Sequence, residues 1–255
     1  MEVAFLKVLN ITSPHNELIV KIKKLKIKKY REKENLFIAE GVKNVNDSMK
    51  YTDAQMIFAL DVNLINTDVS CPVYIVTEKV MKEISDTVTP QGLVAVFKIK
   101  AFLEETTNKI LVLNGVSDPG NVGTILRTAC AFGFDTVIAD ENTADIYSPK
   151  VVRSAMSAVF SLNILRTRNL VSEINSFKEK GYTFYVSYLG EGAEDIKNIS
   201  FSEKPMLAVG SEANGVSNDV LMCADKTYII PMNGNIESLN VGIAAAISMF
   251  ECLGK

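Results

Sequence analysis

Short apolar runs alternate with segments of helical character along nearly the whole chain. In the first hundred residues Leu36–Ala39, Met56–Leu60, Val73–Val76 and Leu93–Phe97 read as strands. Helices are expected around Val42–Lys50 and Val80–Ser85. A helix is also expected from Ser13-Pro14, a cap followed by proline, with Leu18, Ile22 and Leu25 as its apolar stripe. After the polar, acidic stretch Phe102–Lys109 the alternation resumes. ILVL (Ile110–Leu113), TVIA (Thr136–Ala139), TFYVSYL, PMLAVG and YIIPM are strand-like, and Ser148–Met156, Leu170–Gly181 and Val241–Gly254 are helical. Such alternation predicts an α/β fold. The polar break predicts two domains, 1–100 and 110–255, joined by a linker over 101–109. A length of 255 residues accommodates both, since domains average about 150 residues.

Composition narrows the class. Apolar residues make up 47% and charged residues 22%, which describes a globular chain and excludes disorder and coiled coil. No apolar run approaches the ~18 residues of a membrane span, and the start, MEVAFLKVLNITSP, lacks the apolar segment of a secretory signal. No membrane association and a cytoplasmic location are therefore expected. The four cysteines are far apart and His15 is the single histidine. That spacing predicts neither a metal site nor a disulfide framework, but reduced thiols.

Net charge is −3, yet its distribution is uneven. Between Lys21 and Lys33 lie eight basic residues and one acidic residue; the remainder holds 19 of the 27 basic and 29 of the 30 acidic side chains. A cluster of this kind attracts polyphosphate by counterion release, or it is simply the solvated face of a helix. Lys24, Lys28, Lys29 and Arg31 are the candidate RNA contacts.

Three loops in the second half follow strands and precede helices: NGVSDPGNVGTILRTA, AVGSEANGVS and IIPMNGNIESLNVGIAAA. The first places backbone amides at a helix start, where anions bind, but it has neither P-loop nor GxGxxG spacing. Small residues in the second allow a ligand close to the backbone. Singly, each loop is explained by turns and helix caps. Together they resemble the three motifs of the SpoU (TrmH-like) family of RNA 2′-O-ribose methyltransferases, in order and spacing, over roughly residues 110–253. NLFIAEGVK and TPQGLVAVF resemble more weakly the family's L30e-like substrate-binding domain, over about residues 15–97.

The resemblance implies a trefoil-knotted domain with a mostly parallel sheet and flanking helices, preceded by a smaller α/β domain of L30e type. It also implies an enzyme that uses S-adenosylmethionine and a homodimer formed through the C-terminal domain. Its substrate would be structured RNA: ribosomal RNA of the 23S type is favoured, and transfer RNA is the alternative. A non-catalytic RNA-binding or ribosome-assembly factor with the same fold is a second alternative. Carried onto matching positions, the reacting groups are Arg127, Asn121, Glu212, Ser238 and Asn240. Cofactor contacts fall on Gly210, Ile230, Leu239, Met232 and Gly234. The second domain has no histidine, so the usual general base is missing. An arginine is effectively always protonated, which makes Arg127 a fixed positive charge rather than a free base. The apolar last helix is expected to be covered, in the core or by a partner.

Overall fold

The computed structural model describes residues 8–233 and 238–253. They form two compact units, 8–99 with 145–160, and 100–144 with 161–253. The elements run β1 (Val8–Ile11), α1 (Glu17–Lys24), α2 (Lys28–Glu34), β2 (Leu36–Glu40), α3 (Val42–Ser48), β3 (Met56–Ala59), β4 (Val73–Val76), α4 (Glu78–Ile84) and β5 (Leu93–Lys98). They continue with β6 (Ile110–Asn114), α5 (Pro119–Ala131), β7 (Thr136–Ala139), α6 (Pro149–Ala155), α7 (Ala158–Ser161), β8 (Asn163–Arg166), α8 (Leu170–Glu179), β9 (Thr183–Ser187) and β10 (Glu194–Asp195). The last are β11 (Pro205–Gly210), α9 (Asn218–Leu221), β12 (Lys226–Ile229) and α10 (Val241–Leu253).

The first unit is built on a mixed sheet of order β1-β4-β3-β5-β2. Strand periodicity sends Ile38, Phe58, Val94 and Val96 to one face, where Ile19, Ile22 and Leu25 and the α4 residues Val80, Met81 and Ile84 cover them. Alternate residues Phe37 and Phe97 meet Phe160, with ring centroids 5.3 and 4.6 Å apart.

The first helix begins at Glu17, not at Ser13-Pro14. The Ser13 hydroxyl accepts the His15 amide (3.2 Å) and its carbonyl accepts that of Asn16 (3.2 Å), which closes a turn around the proline. Asn16 is then the cap, accepting from the Leu18 amide at 2.9 Å. The basic stretch divides into α1 and α2 at Ile27, whose backbone is extended.

Arg31 corrects an expectation. Only 3% of it is exposed. Its guanidinium pairs with Asp145 and donates to the Leu25 carbonyl at 2.7 Å, so it is withdrawn from the set of phosphate contacts. A second arginine of the 145–160 segment, Arg153, pairs with the buried Glu40 at 2.7 Å. Removing one member of a buried pair leaves the other charge stranded, at a cost of about 3 kcal/mol. Arg31→Ala is therefore expected to lower the unfolding free energy by about that amount, read from urea denaturation; a loss within error would mean the pair is inert.

The second unit carries a sheet of order β10-β12-β9-β11-β6-β7-β8, parallel at every pairing. Its central strands β6, β7 and β11 are buried on both faces, as a doubly covered parallel sheet requires. Ile110, Val112, Ile138, Phe184, Val186, Met206 and Ala208 pack with Ile174 and Phe177 of α8. The acidic stretch before β6 is tied down: the Asn163 side chain accepts the Leu103 amide (3.0 Å) and donates to the Leu103 carbonyl (2.7 Å). No helix among the described residues is long and apolar enough to cross a membrane.

Candidate active site

All three loops leave the carboxyl ends of parallel strands, where open α/β sheets gather ligands. Gly210, the last residue of β11, pairs with Asn114, the last of β6, so the first and second loops start side by side. Asn114 joins them. Its side-chain oxygen accepts the amide (2.6 Å) and hydroxyl (3.0 Å) of Ser217, and its nitrogen donates to Asp140 at 3.0 Å. Asp140 in turn accepts the amides of Gly115 (3.0 Å) and Thr143 (2.9 Å). Sequence reading missed both residues. The available signal was a polar residue closing each of two apolar strands, ILVL and TVIA.

The second loop closes on itself. Ser211 and Gly215 exchange backbone hydrogen bonds of 2.9 Å, and Gly215 turns with φ +67°. The turn lies directly on Gly210, where a Cβ would fall 1.9 Å from the Gly215 carbonyl carbon. The glycine therefore creates the close approach.

Asn240 caps α10: its side-chain oxygen accepts the amides of Gly242 (2.9 Å) and Ile243 (3.3 Å). Its nitrogen is thereby directed to Asn121 Oδ1 at 3.0 Å, and Asn121 Nδ2 donates to Glu212 at 2.6 Å. Asn121 is itself seated by Asp118, the cap of α5, which accepts its amide at 2.8 Å. One chain of donors and acceptors thus links the third, first and second loops. Its direction is set by two groups that can only play one part, the α10 amides that donate and the carboxylate that accepts.

A cavity of about 480 Å³ opens between the second and third loops. Gly210, Glu212, Ile230, Met232, Ser238 and Leu239 line it. Asn121 and Asn240 stand behind the lining, attached through Glu212 and α10. Gly234 lies outside the described residues. Arg127 does not line the cavity; it is exposed on α5, six residues beyond Asn121, and pairs with no described residue. A further wall, absent from the sequence reading, comes from Ser187–Gly190, at and just past the end of β9.

Two buried groups of the second unit are chemically quiet. Burial pushes the Cys252 thiol up to about 11 and raises the Tyr228 phenol further above its ordinary value, so neither is an ionised nucleophile near neutrality. No group of three or more metal-binding side chains occurs among the described residues. In the first unit Lys24, Lys28 and Lys29 are exposed.

A wholly parallel sheet whose strand-end loops interlock round one cavity, with a separate α/β unit ahead of it, defines a methyltransferase architecture of the SPOUT class. Residues 108–250 match the SpoU rRNA Methylase family, and residues 16–95 match the MRM3-like substrate binding domain. The chain belongs to the SpoU rRNA methylase family. It is 35% identical over 247 residues to the 23S rRNA (guanosine(2553)-2′-O)-methyltransferase RlmP of Bacillus subtilis, covering 96% of this chain and 99% of that one. An AdoMet-bound rRNA methyltransferase from Sinorhizobium meliloti superposes with a TM-score of 0.86 at 29% identity, over 96% and 97% of the two chains. A TrmH-family chain from Porphyromonas gingivalis gives 0.84 at 34% identity, over 92% and 96%.

Proposed function

We propose that this protein transfers a methyl group from S-adenosylmethionine to a ribose 2′-hydroxyl of structured RNA, with 23S-type ribosomal RNA as substrate. The observation that carries the reading is the meeting of the second and third loops, distant in sequence, around one cavity, with the first loop tied to both by one hydrogen-bond chain. The cavity suits a nucleoside with an amino-acid tail. Its size is that of a cofactor site, its walls are backbone with apolar Val209, Ile230 and Leu239, and the Gly210 cradle would be filled by any side chain.

When bound, the cofactor supplies an activated methyl group with a neutral leaving group, so no acid is needed. The protein's task is to align the acceptor and assist loss of its proton. Arg127 holds the target phosphate and stabilises charge developing on the ribose oxygen. Ser238 and the phosphate offer the proton a route out. Asn121, Glu212 and Asn240 hold the loops in register. Gly210, Ile230, Met232, Gly234 and Leu239 contact the cofactor.

Residues 1–100 supply RNA binding, 101–109 link, and 110–255 form the knotted transfer domain. Reduced thiols at all four cysteines suit a cytoplasmic enzyme. The working form is a homodimer. Ile243 (52% exposed) and Phe250 (61%) leave an apolar stripe on α10, and Phe250 meets Phe132, which caps the end of α5, with ring centroids 5.9 Å apart. Arg127 lies on α5 little more than a turn before Phe132, so a second copy covering that stripe lies close to it.

The test is transfer of radiolabelled methyl from S-adenosylmethionine to ribosomal RNA, followed by mapping of 2′-O-methyl positions with and without the protein. One missing ribose methyl in 23S-type RNA is expected. Transfer only to tRNA would correct the substrate; no transfer to any RNA would leave a binding protein. Charge reversal of Lys24, Lys28 and Lys29 to glutamate is expected to weaken RNA binding and flatten its log–log salt slope by about 2, without changing cofactor affinity. Unchanged RNA affinity would make the basic stretch a solvated face.

A further inference from the structure

We propose that Tyr188 is the aromatic wall of this cavity, against which the flat purine of the methyl donor stacks, with Gly190 leaving the room that the ring needs. This rests on the assignment of the cavity to the donor made above. Tyr188 follows β9 directly, and its amide donates to the Tyr228 carbonyl at 2.9 Å, extending the β9–β12 ladder by one residue. Its ring then folds back over Gly190. A Cβ at that glycine would lie 2.2 Å from Cε1 and Cζ and 2.3 Å from the phenol oxygen. No side chain at 190 is compatible with this placement.

Tyr188 is the single aromatic residue among the described residues lining the cavity, and its phenol hydrogen-bonds to none of the described residues. A half-buried tyrosine that keeps its hydroxyl free offers a flat apolar face, which is what a base recognises by stacking. Sheet order indicates which end of the donor meets it. β11 lies between β9 and β6. The Asn121–Glu212 contact belongs to the loops after β6 and β11, whereas Tyr188 belongs to β9, two strand spacings or roughly 10 Å from β6. If methyl transfer takes place beside Asn121 and Glu212, the nucleoside end of the donor falls on the β9 side.

Calorimetry on the full chain tests this with three ligands that share the purine: S-adenosylmethionine, S-adenosylhomocysteine and methylthioadenosine. Tyr188→Leu is expected to weaken all three by a similar factor, about tenfold. Tyr188→Phe should bind as the wild type does, because the phenol is unused. Gly190→Ala should reproduce the leucine variant by displacing the ring, and it carries the test if the leucine variant loses its far-ultraviolet dichroism. The chain has no tryptophan, so tyrosine emission is directly readable; donor-induced quenching should be present in the wild type and reduced in Tyr188→Leu. Unchanged affinity in both Tyr188→Leu and Gly190→Ala would overturn the proposal. So would a loss confined to S-adenosylmethionine, which would place the ring at the sulfonium. A wild-type protein that binds none of the three would overturn the assignment of the cavity itself, and this inference with it.

Discussion

Arg127→Ala should lower the rate of methyl transfer by about 10²–10³-fold, the usual cost of removing a group that stabilises developing charge. The dissociation constant of S-adenosylmethionine should stay where it is. The two expectations separate because Arg127 is outside the cavity lining while six of the proposed site residues are in it. Its guanidinium pairs with no described residue, so the substitution strands no buried partner and should leave stability within ~0.5 kcal/mol, as for other exposed positions. Arg127→Lys keeps the charge but loses the planar fork that grips a phosphate through two hydrogen bonds, and it should fall between the two. Single-turnover transfer with saturating RNA reads the chemical step, and calorimetry reads the donor. Activity within a few-fold of wild type would remove Arg127 from the mechanism. Loss of donor binding would relocate it to the cavity.

What the sequence disclosed, and what it withheld, follows from how local each feature is. β4 occupies the residues expected of it, and the Pro-led helices α5 and α6 begin behind Asp118 and Ser148, because caps, prolines and buried strands act within a few residues. β1 and β8 went unread. Both are edge strands, and each buries only one residue fully, which leaves too little periodicity to detect. The loops were legible through their small and capping residues. Their interlock was not, since Asn121 reaches Glu212 across 91 positions and Asn240 reaches Asn121 across 119. Arg31 makes the same point in reverse: within a run of lysines it looks like one more phosphate contact, and only Asp145, 114 residues away, shows it to be a buried brace.

Gly210→Ala should be the most damaging single-atom change in the cavity. The added methyl has no free direction. It would sit 1.9 Å from the carbonyl carbon and 2.2 Å from the carbonyl oxygen of Gly215, and 2.1 Å from the Val216 amide nitrogen, all backbone that cannot swing aside as a side chain would. Relief requires the Ser211–Gly215 turn to move off β11. That movement carries Glu212 away from Asn121 and opens the wall built by residues 210–216. Donor affinity should fall by at least about a hundredfold, and RNA methylation with it. Overpacking of this sort typically costs 1–3 kcal/mol of stability, so the chain should still fold, with a melting temperature lowered by several degrees. Because Lys24, Lys28 and Lys29 belong to the other compact unit, RNA affinity should hold. The variant would thus separate the two activities: RNA retained, donor lost. Wild-type donor affinity in a folded Gly210→Ala protein would mean that the second loop is not part of the donor site, and the convergence of the three loops would then have no bearing on the reaction.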